Sequence, residues 1–201
     1  DLYFFAETQE MLSGEVAPPG VFLQAAEVLR RQLFAYCMDE WVAGLSNDKA
    51  LPEKTSQALD VMDQAKQERF PYLFCDYVLK HETRLFLGFV ALLAGDIDET
   101  VRSRLLDFMQ GQGEQDGLRP RLLKALEELR EERRSYKKRK EELDKAKTRL
   151  QQRPQDDATR DEIDNLLRER DKLLELINEI NQRDLLNTLT DAGLIPNYAF
   201  P

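Results

Sequence analysis

The chain has 201 residues, of which 42% are hydrophobic and 33% charged, and its 38 Asp/Glu against 29 Lys/Arg give a net charge of −9. That length suits one domain, or one compact domain with an extension, and the apolar share is enough for a real core. A single His and two Cys argue against a zinc site built from these residues, and the acidic balance argues against tight non-specific DNA binding by the chain as a whole.

No stretch alternates apolar and polar residues as a half-buried strand would, so the chain reads as all-α. Residues 1–20 open irregularly, with SGEVAPPG as a loop marked by Pro and Gly. Helical spacing over 21–45 links Leu29, Leu33, Tyr36 and Cys37, then Glu40 and Trp41, and Gly44 with Ser46, Asn47 and Asp48 ends it. Residues 53–69 read as one amphipathic helix around Ala58, Leu59, Met62 and Ala65, broken by Pro71. Residues 72–94 are apolar on most sides and read as one helix central to the core, closed by Gly95. Within it, LFLGFVALLA (85–94) is too short to span a bilayer. DIDETVRSRLLDFMQ starts a further helix whose acidic first turn suits the helix dipole. GQGEQDG, residues 111–117, is the clearest linker. Cys37 and Cys75 sit in apolar helical patterns and read as two buried thiols.

Beyond residue 117 the texture changes. Leu122, Leu129, Tyr136, Leu143 and Leu150 recur every seven residues, and Leu126 takes the second seam position of the first heptad. Later second-seam positions hold Arg133, Lys140 and Lys147, which weaken a simple long coiled coil unless their stems lie along the seam with the heads turned outward. Pro154 stops the helix, and Thr159 with Glu162 forms a capping box for a second one carrying Ile163, Leu166, Leu167, Leu173, Leu174, Ile177 and Ile180. Residues 119–153 hold 14 Lys/Arg and 7 Asp/Glu, whereas 156–184 hold 5 and 10. Opposite charge and matched seams predict an antiparallel hairpin with its tip near 154–158, pairing Leu143 with Leu166, Tyr136 with Leu173 and Leu129 with Ile180. At about 1.5 Å per residue the arm is roughly 50 Å long. The expected architecture is a helical globular base (1–117), a long antiparallel coiled-coil arm (118–188), and a tail (189–201) leading to a further domain.

Catalytic signatures are sparse. There is no Gly-rich phosphate loop and no acidic helicase box, which excludes a self-contained ATPase. The one histidine, His81, lies beside Asp76, Lys80 and Glu82 with no identifiable nucleophile, so a structural or exposed role is expected. Asp39 with Glu40, and Asp96, Asp98 and Glu99, lack calcium-loop spacing and read as helix-start or solvated carboxylates. The candidate contact site is the run Arg133, Arg134, Lys137, Lys138, Arg139 and Lys140, six cations within eight residues. It is either a solvated helix face or a surface that holds phosphates or a protein partner. Tyr136 among them reads as a seam residue rather than a base-stacking platform.

Two stretches resemble one family. In the opening segment, Tyr3, Phe4, Met11, Gly14, Val16, Pro18, Pro19, Leu29 and Ala35 follow a pattern found in large DEAD/DEAH-box (superfamily 2) helicases with a C-terminal zinc-binding domain. That pattern has a histidine in its helix, where this chain has Leu33 or a neighbour. The closing LTDAGLIPNYAFP (189–201) is similar to the same family's L-x-x-x-G-L-[IL]-P-x-Y-A-F-P step, with order and spacing kept. Residues 46–188 match nothing in that pattern. The resemblance implies that this is an internal piece of a longer chain. The motor domains, with ATP and Mg, would precede it, and the zinc-binding domain would follow it. No catalytic, cofactor-binding or metal-binding residue is expected within this piece.

The expected function is therefore that of a non-catalytic accessory region of an ATP-dependent DNA helicase. It would contribute DNA or partner contacts and pack against the flanking helicase domains. It would do so in the cytoplasm, without a membrane. The alternative is a free-standing coiled-coil structural or adaptor protein. A small-molecule enzyme centred on His81 has little in the sequence to support it.

Overall fold

A computed structural model describes residues 26–44, 51–93, 97–111, 116–154 and 156–197. Outside them lie the opening stretch 1–20, Ser46, Asn47, Asp48, Gly95, Asp96, residues 112–115, Tyr198 and Phe200. Among the described residues there are eight helices and no strand. They are α1 (Ala26–Ala43), α2 (Thr55–Asp63), α3 (Tyr72–Lys80), α4 (Glu82–Leu92), α5 (Glu99–Gln110), α6 (Leu118–Gln151), α7 (Asp157–Gln182) and α8 (Leu185–Asp191).

Helix α1 is the pillar of the base. Leu29, Leu33, Phe34, Cys37, Met38 and Trp41 recur at three- and four-residue steps, so one face is buried against α3, α4 and α5. Trp41 meets Phe74 at 5.5 Å and Phe70 at 6.0 Å, and Phe34 meets Phe74 at 5.5 Å, in tilted arrangements that suit aromatic quadrupoles. Cys37 and Cys75 are buried free thiols, and burial pushes both up to about 12, which leaves them protonated and unreactive.

Two expected helices are shorter than their apolar patterns. The run over 53–69 ends at Asp63, because Ala65 turns left-handed at φ 50°. The N–H of Lys66 then reaches Val61 O and that of Ala65 reaches Met62 O, the paired bonds of a Schellman stop. The run over 72–94 divides at His81, whose backbone (φ −114°, ψ 16°) leaves the helical region between α3 and α4. Leu85, Phe86, Phe89 and Val90 go into the core as expected, but Leu87 and Leu92 are 61% and 70% exposed.

Helix α5 starts at Asp98, whose carboxylate accepts the N–H of Val101, and ends at left-handed Gly111. The start of α7 differs from expectation. Asp156 caps it by accepting the Thr159 N–H at 2.8 Å, so Thr159 is the third helical residue rather than the cap. Aspartate is a stronger N-cap than threonine, and Asp156 starts the helix one turn earlier. After α8, Gly193 adopts φ 69°. The N–H of Gly193 bonds Thr190 O and that of Leu194 bonds Leu189 O, a second Schellman stop. Leu189 and Leu194 are buried in the core.

Helices α6 and α7 pack antiparallel as the expected hairpin. The core runs without interruption from the base into its root, taking in Leu118, Leu122 and Leu126 of α6 and Ile180 of α7. Helix α2 lies against both arms of that root. The start of α2 is tied to the α7–α8 junction through Thr55 N–H to Arg183 O, Leu185 N–H to Glu53 O, and a buried hydroxyl pair, Thr55 with Thr188, at 2.7 Å. At the N-terminal end of α6, Arg121 donates to Glu27 at 2.7 Å. Arg121 and Arg30 each lie 5.7 Å from the Phe108 ring, a cation–π pair that joins α1, α5 and α6.

Candidate functional site on the helical hairpin

The basic run occupies the middle of α6, where the hairpin leaves the base. Apolar residues, not charges, hold this element. Burying a leucine contributes about 1.5–3 kcal/mol, whereas an exposed ion pair contributes about 0–1 kcal/mol. Leu122, Leu126, Leu143 and Leu150 are all buried. Tyr136 is half-buried against the core, and its hydroxyl donates to Glu132 at 2.6 Å, which makes it a seam residue. Arg139 donates to Glu169 across the hairpin at 2.9 Å.

The structure separates the six cations. Arg133 is only 2% exposed. Its Nη2 lies 2.8 Å from Asp63 and 2.9 Å from Asp60, and its Nη1 donates to Asn181 at 3.3 Å. Arg134 reaches the same Asp63 at 2.8 Å and Glu131 at 2.8 Å. Arg130, just upstream, adds a third contact to Asp63 at 3.0 Å. One carboxylate at the end of α2 thus gathers three arginines from α6. Burial works to raise the Asp63 carboxyl, but Arg133 and Arg134 outweigh it and hold Asp63 below the usual aspartate value. Lys140 pairs with Asp144 at 3.1 Å. Lys137 and Lys138 are exposed and, among the described residues, have no bonded partner.

The seam cations follow two different solutions. Lys140 and Lys147 are half-buried, in keeping with stems along the seam and heads outward. Arg133 instead buries its head, which α2 neutralises. The missed partners were Asp60, Asp63 and Asn181. One signal pointed to them: Asp60 and Asp63 stand in the last turn of α2, where a helix dipole disfavours carboxylates. Acids at that position call for cations from elsewhere in the fold.

The other sequence candidates resolve simply. His81 meets Tyr77 in a tilted arrangement, with 4.7 Å between ring centroids. Glu40 pairs with Arg84 at 2.7 Å, and Asp98 caps α5. Among the described residues no group of three or more His, Cys, Asp or Glu is placed to hold a metal ion. Among them, too, no helix is long and apolar enough to cross a membrane. An open cleft lined by Glu27, Arg31, Arg121, Lys124 and the Gly193 turn mixes cations with carboxylates and favours neither sign of ligand.

No family model, curated protein or solved structure matches the chain.

Proposed function

We propose that this chain is a non-catalytic accessory region of an ATP-dependent DNA helicase, in which the hairpin carries contacts to nucleic acid or to a partner away from the motor. The helicase part rests on the resemblance of the two ends. The accessory part rests on one observation: a 34-residue helix that is rooted in the core at Leu118, Leu122 and Leu126 and packs along its length antiparallel to α7. In this reading ATP, Mg and zinc belong to flanking domains.

Reading the coding sequence on both sides tests the parent. A phosphate loop and acidic helicase box upstream, with a four-cysteine cluster downstream, are expected. A start codon directly before Asp1 and a stop after Pro201 would overturn the helicase reading in favour of a free-standing adaptor. The accessory role is tested by shortening the arm in the intact helicase. Removing 119–184 would strip Leu122, Leu126 and Ile180 from the core, so the cut belongs further out, between Lys137 and Lys172, closed by a short Gly-rich turn. ATP turnover is expected to persist while unwinding or recruitment falls. Loss of ATP turnover with the motor still folded would sink the accessory role.

A further inference from the structure

The basic face of α6 is longer than the run named above. Arg130, Arg134, Lys137 and Lys138 follow one another at steps of four, three and one, which places them on one face of the helix, within about 100° of arc and about 12 Å of axis. Lys137 and Lys138, the outer half of this stripe, are exposed and, among the described residues, unbonded. The root half is occupied. Arg130 Nε and Arg134 Nη2 both meet a single oxygen, Asp63 Oδ1, at 3.0 and 2.8 Å. That carboxylate belongs to α2, so a separate element holds two of the stripe's cations.

Carboxylates of α6 lie along the stripe as well. Glu127 bonds Arg130 at 2.6 Å, Glu131 bonds Arg134 at 2.8 Å, and Glu141 follows Lys138 at the outer end. Glu127 and Glu131 are exposed, and pairs of this kind along one helix contribute only about 0.2–0.5 kcal/mol each, so a stronger anion can share or displace them. Asp63 is different because it arrives from another helix, and its seat is locally costly. Asp60 and Asp63 stand in the last turn of α2, against the helix dipole. Just beyond, Ala65 is left-handed at φ 50°, a conformation that costs about 1–2 kcal/mol. Ala58 and Leu59 anchor α2 in the core, so the part able to yield is its last turn. Arg133 retains Asp60 at 2.9 Å and Asn181 at 3.3 Å when Asp63 leaves.

We propose that Asp63 is an internal competitor for phosphate: it occupies Arg130 and Arg134, and a nucleic-acid backbone lying along Lys137 and Lys138 gains the whole stripe only by displacing it. Guanidinium forks receive carboxylate and phosphate oxygens in the same geometry, which makes the two anions alternatives at one seat. The contact is thus autoinhibitory, lowering the affinity of α6 for nucleic acid while the last turn of α2 is closed. The proposal rests on the reading of the hairpin as a nucleic-acid contact and adds what restrains it.

The test uses the full 201-residue chain and a labelled DNA duplex over a salt series. Asp63→Asn keeps the shape and removes the charge. It is expected to tighten binding about tenfold and to steepen the slope of log affinity against log salt by about 2, one unit for each freed arginine. Coupling is reciprocal, so saturating duplex should in turn quicken amide exchange at Met62, Asp63 and Gln64 of the unsubstituted chain, by about tenfold. This second measurement stands even if Asp63→Asn fails to fold. An affinity and slope unmoved by Asp63→Asn, or α2 amides that duplex leaves alone or protects, overturn the proposal, as does a chain that binds no duplex with or without the substitution. Lys137→Glu with Lys138→Glu separates the two failures. If that double reversal weakens binding and Asp63→Asn does nothing, competition falls and the nucleic-acid reading stands; if neither has an effect, both fall.

Discussion

Arg133 Nη2 lies 2.8 Å from Asp63 Oδ2, and this pair joins the middle of α6 to the last residue of α2. The arginine is buried, while the aspartate side chain is 31% exposed. Removing one member of such a pair is not equivalent to replacing the cation by an apolar isostere. Asp63→Ala leaves a buried guanidinium with only Asp60 and Asn181, and is expected to lower stability by about 2–3 kcal/mol. Arg133→Met fills the same space without a charge and is expected to change stability by less than about 1 kcal/mol. Urea unfolding of the two variants checks the asymmetry. Equal losses would mean that the arginine's charge itself holds the root.

The same cluster sets a pH dependence. Asp63 is held below its ordinary value by Arg133 and Arg134 against the opposing effect of burial. Hydrogen bonds from Arg121, before any other cause, lower Glu27 and Asp116. A carboxyl whose folded value is depressed contributes stability that is fully present above its unfolded value and is lost as pH falls through the folded one. Unfolding free energy is therefore expected to stay level above about pH 5 and to fall below about pH 4. Asp63→Asn should flatten that decline. Urea midpoints measured from pH 7 to pH 3 decide it, and an unchanged acid slope in the variant would remove Asp63 from the account.

Ala65 and Gly193 occupy the same left-handed position in two Schellman stops, at φ 50° and φ 69°. Only glycine takes that conformation without a steric cost, which for other residues is about 1–2 kcal/mol. Opposite substitutions should have opposite signs. Ala65→Gly is expected to raise stability by about 0.5–1 kcal/mol, the relief being partly offset by a freer unfolded chain. Gly193→Ala is expected to lower it by about 1 kcal/mol or more, the cost of placing a Cβ at φ 69°. Thermal melts of the pair are a direct measurement. A stabilising Gly193→Ala would show that the closing turn is not built around its glycine.

These positions also mark how much was legible in the sequence. The hairpin was, because leucines spaced by seven and a Pro154 stop specify both its arms. The antiparallel pairing is as expected, while the cross-hairpin bonds Arg139–Glu169 and Arg133–Asn181 fall on different registers. The stop at Ala65 was not, because the residue gives no glycine signal there and the apolar period runs on. The break at His81 was hidden in the same way, inside an unbroken apolar run. Arg133 was visible as an anomaly at a seam position, but its neutralisation comes from Asp60 and Asp63, some seventy positions away in sequence, and only tertiary packing brings them together. The basic run was legible as a cluster of charge and illegible as a surface, since carboxylates from α2 and α7 reach half of it.

That last difference changes how nucleic-acid contact is to be tested. A blanket reversal of the run would break the Arg133 and Arg139 pairs and confuse unfolding with lost binding. Among the described residues, Lys137 and Lys138 are the two members of the run left exposed and unbonded, so the test belongs to them. Each lysine on a phosphate contributes about one unit to the slope of log affinity against log salt. If the run holds DNA, Lys137→Glu with Lys138→Glu should weaken binding across all sequences and reduce that slope by about 2. Arg133→Met, buried and away from solvent, should leave it unchanged. Fluorescence anisotropy with a labelled duplex over a salt series separates the outcomes. Binding whose strength and salt slope are indifferent to the double reversal would take DNA away from this part of α6, and the lysines would then serve solvation.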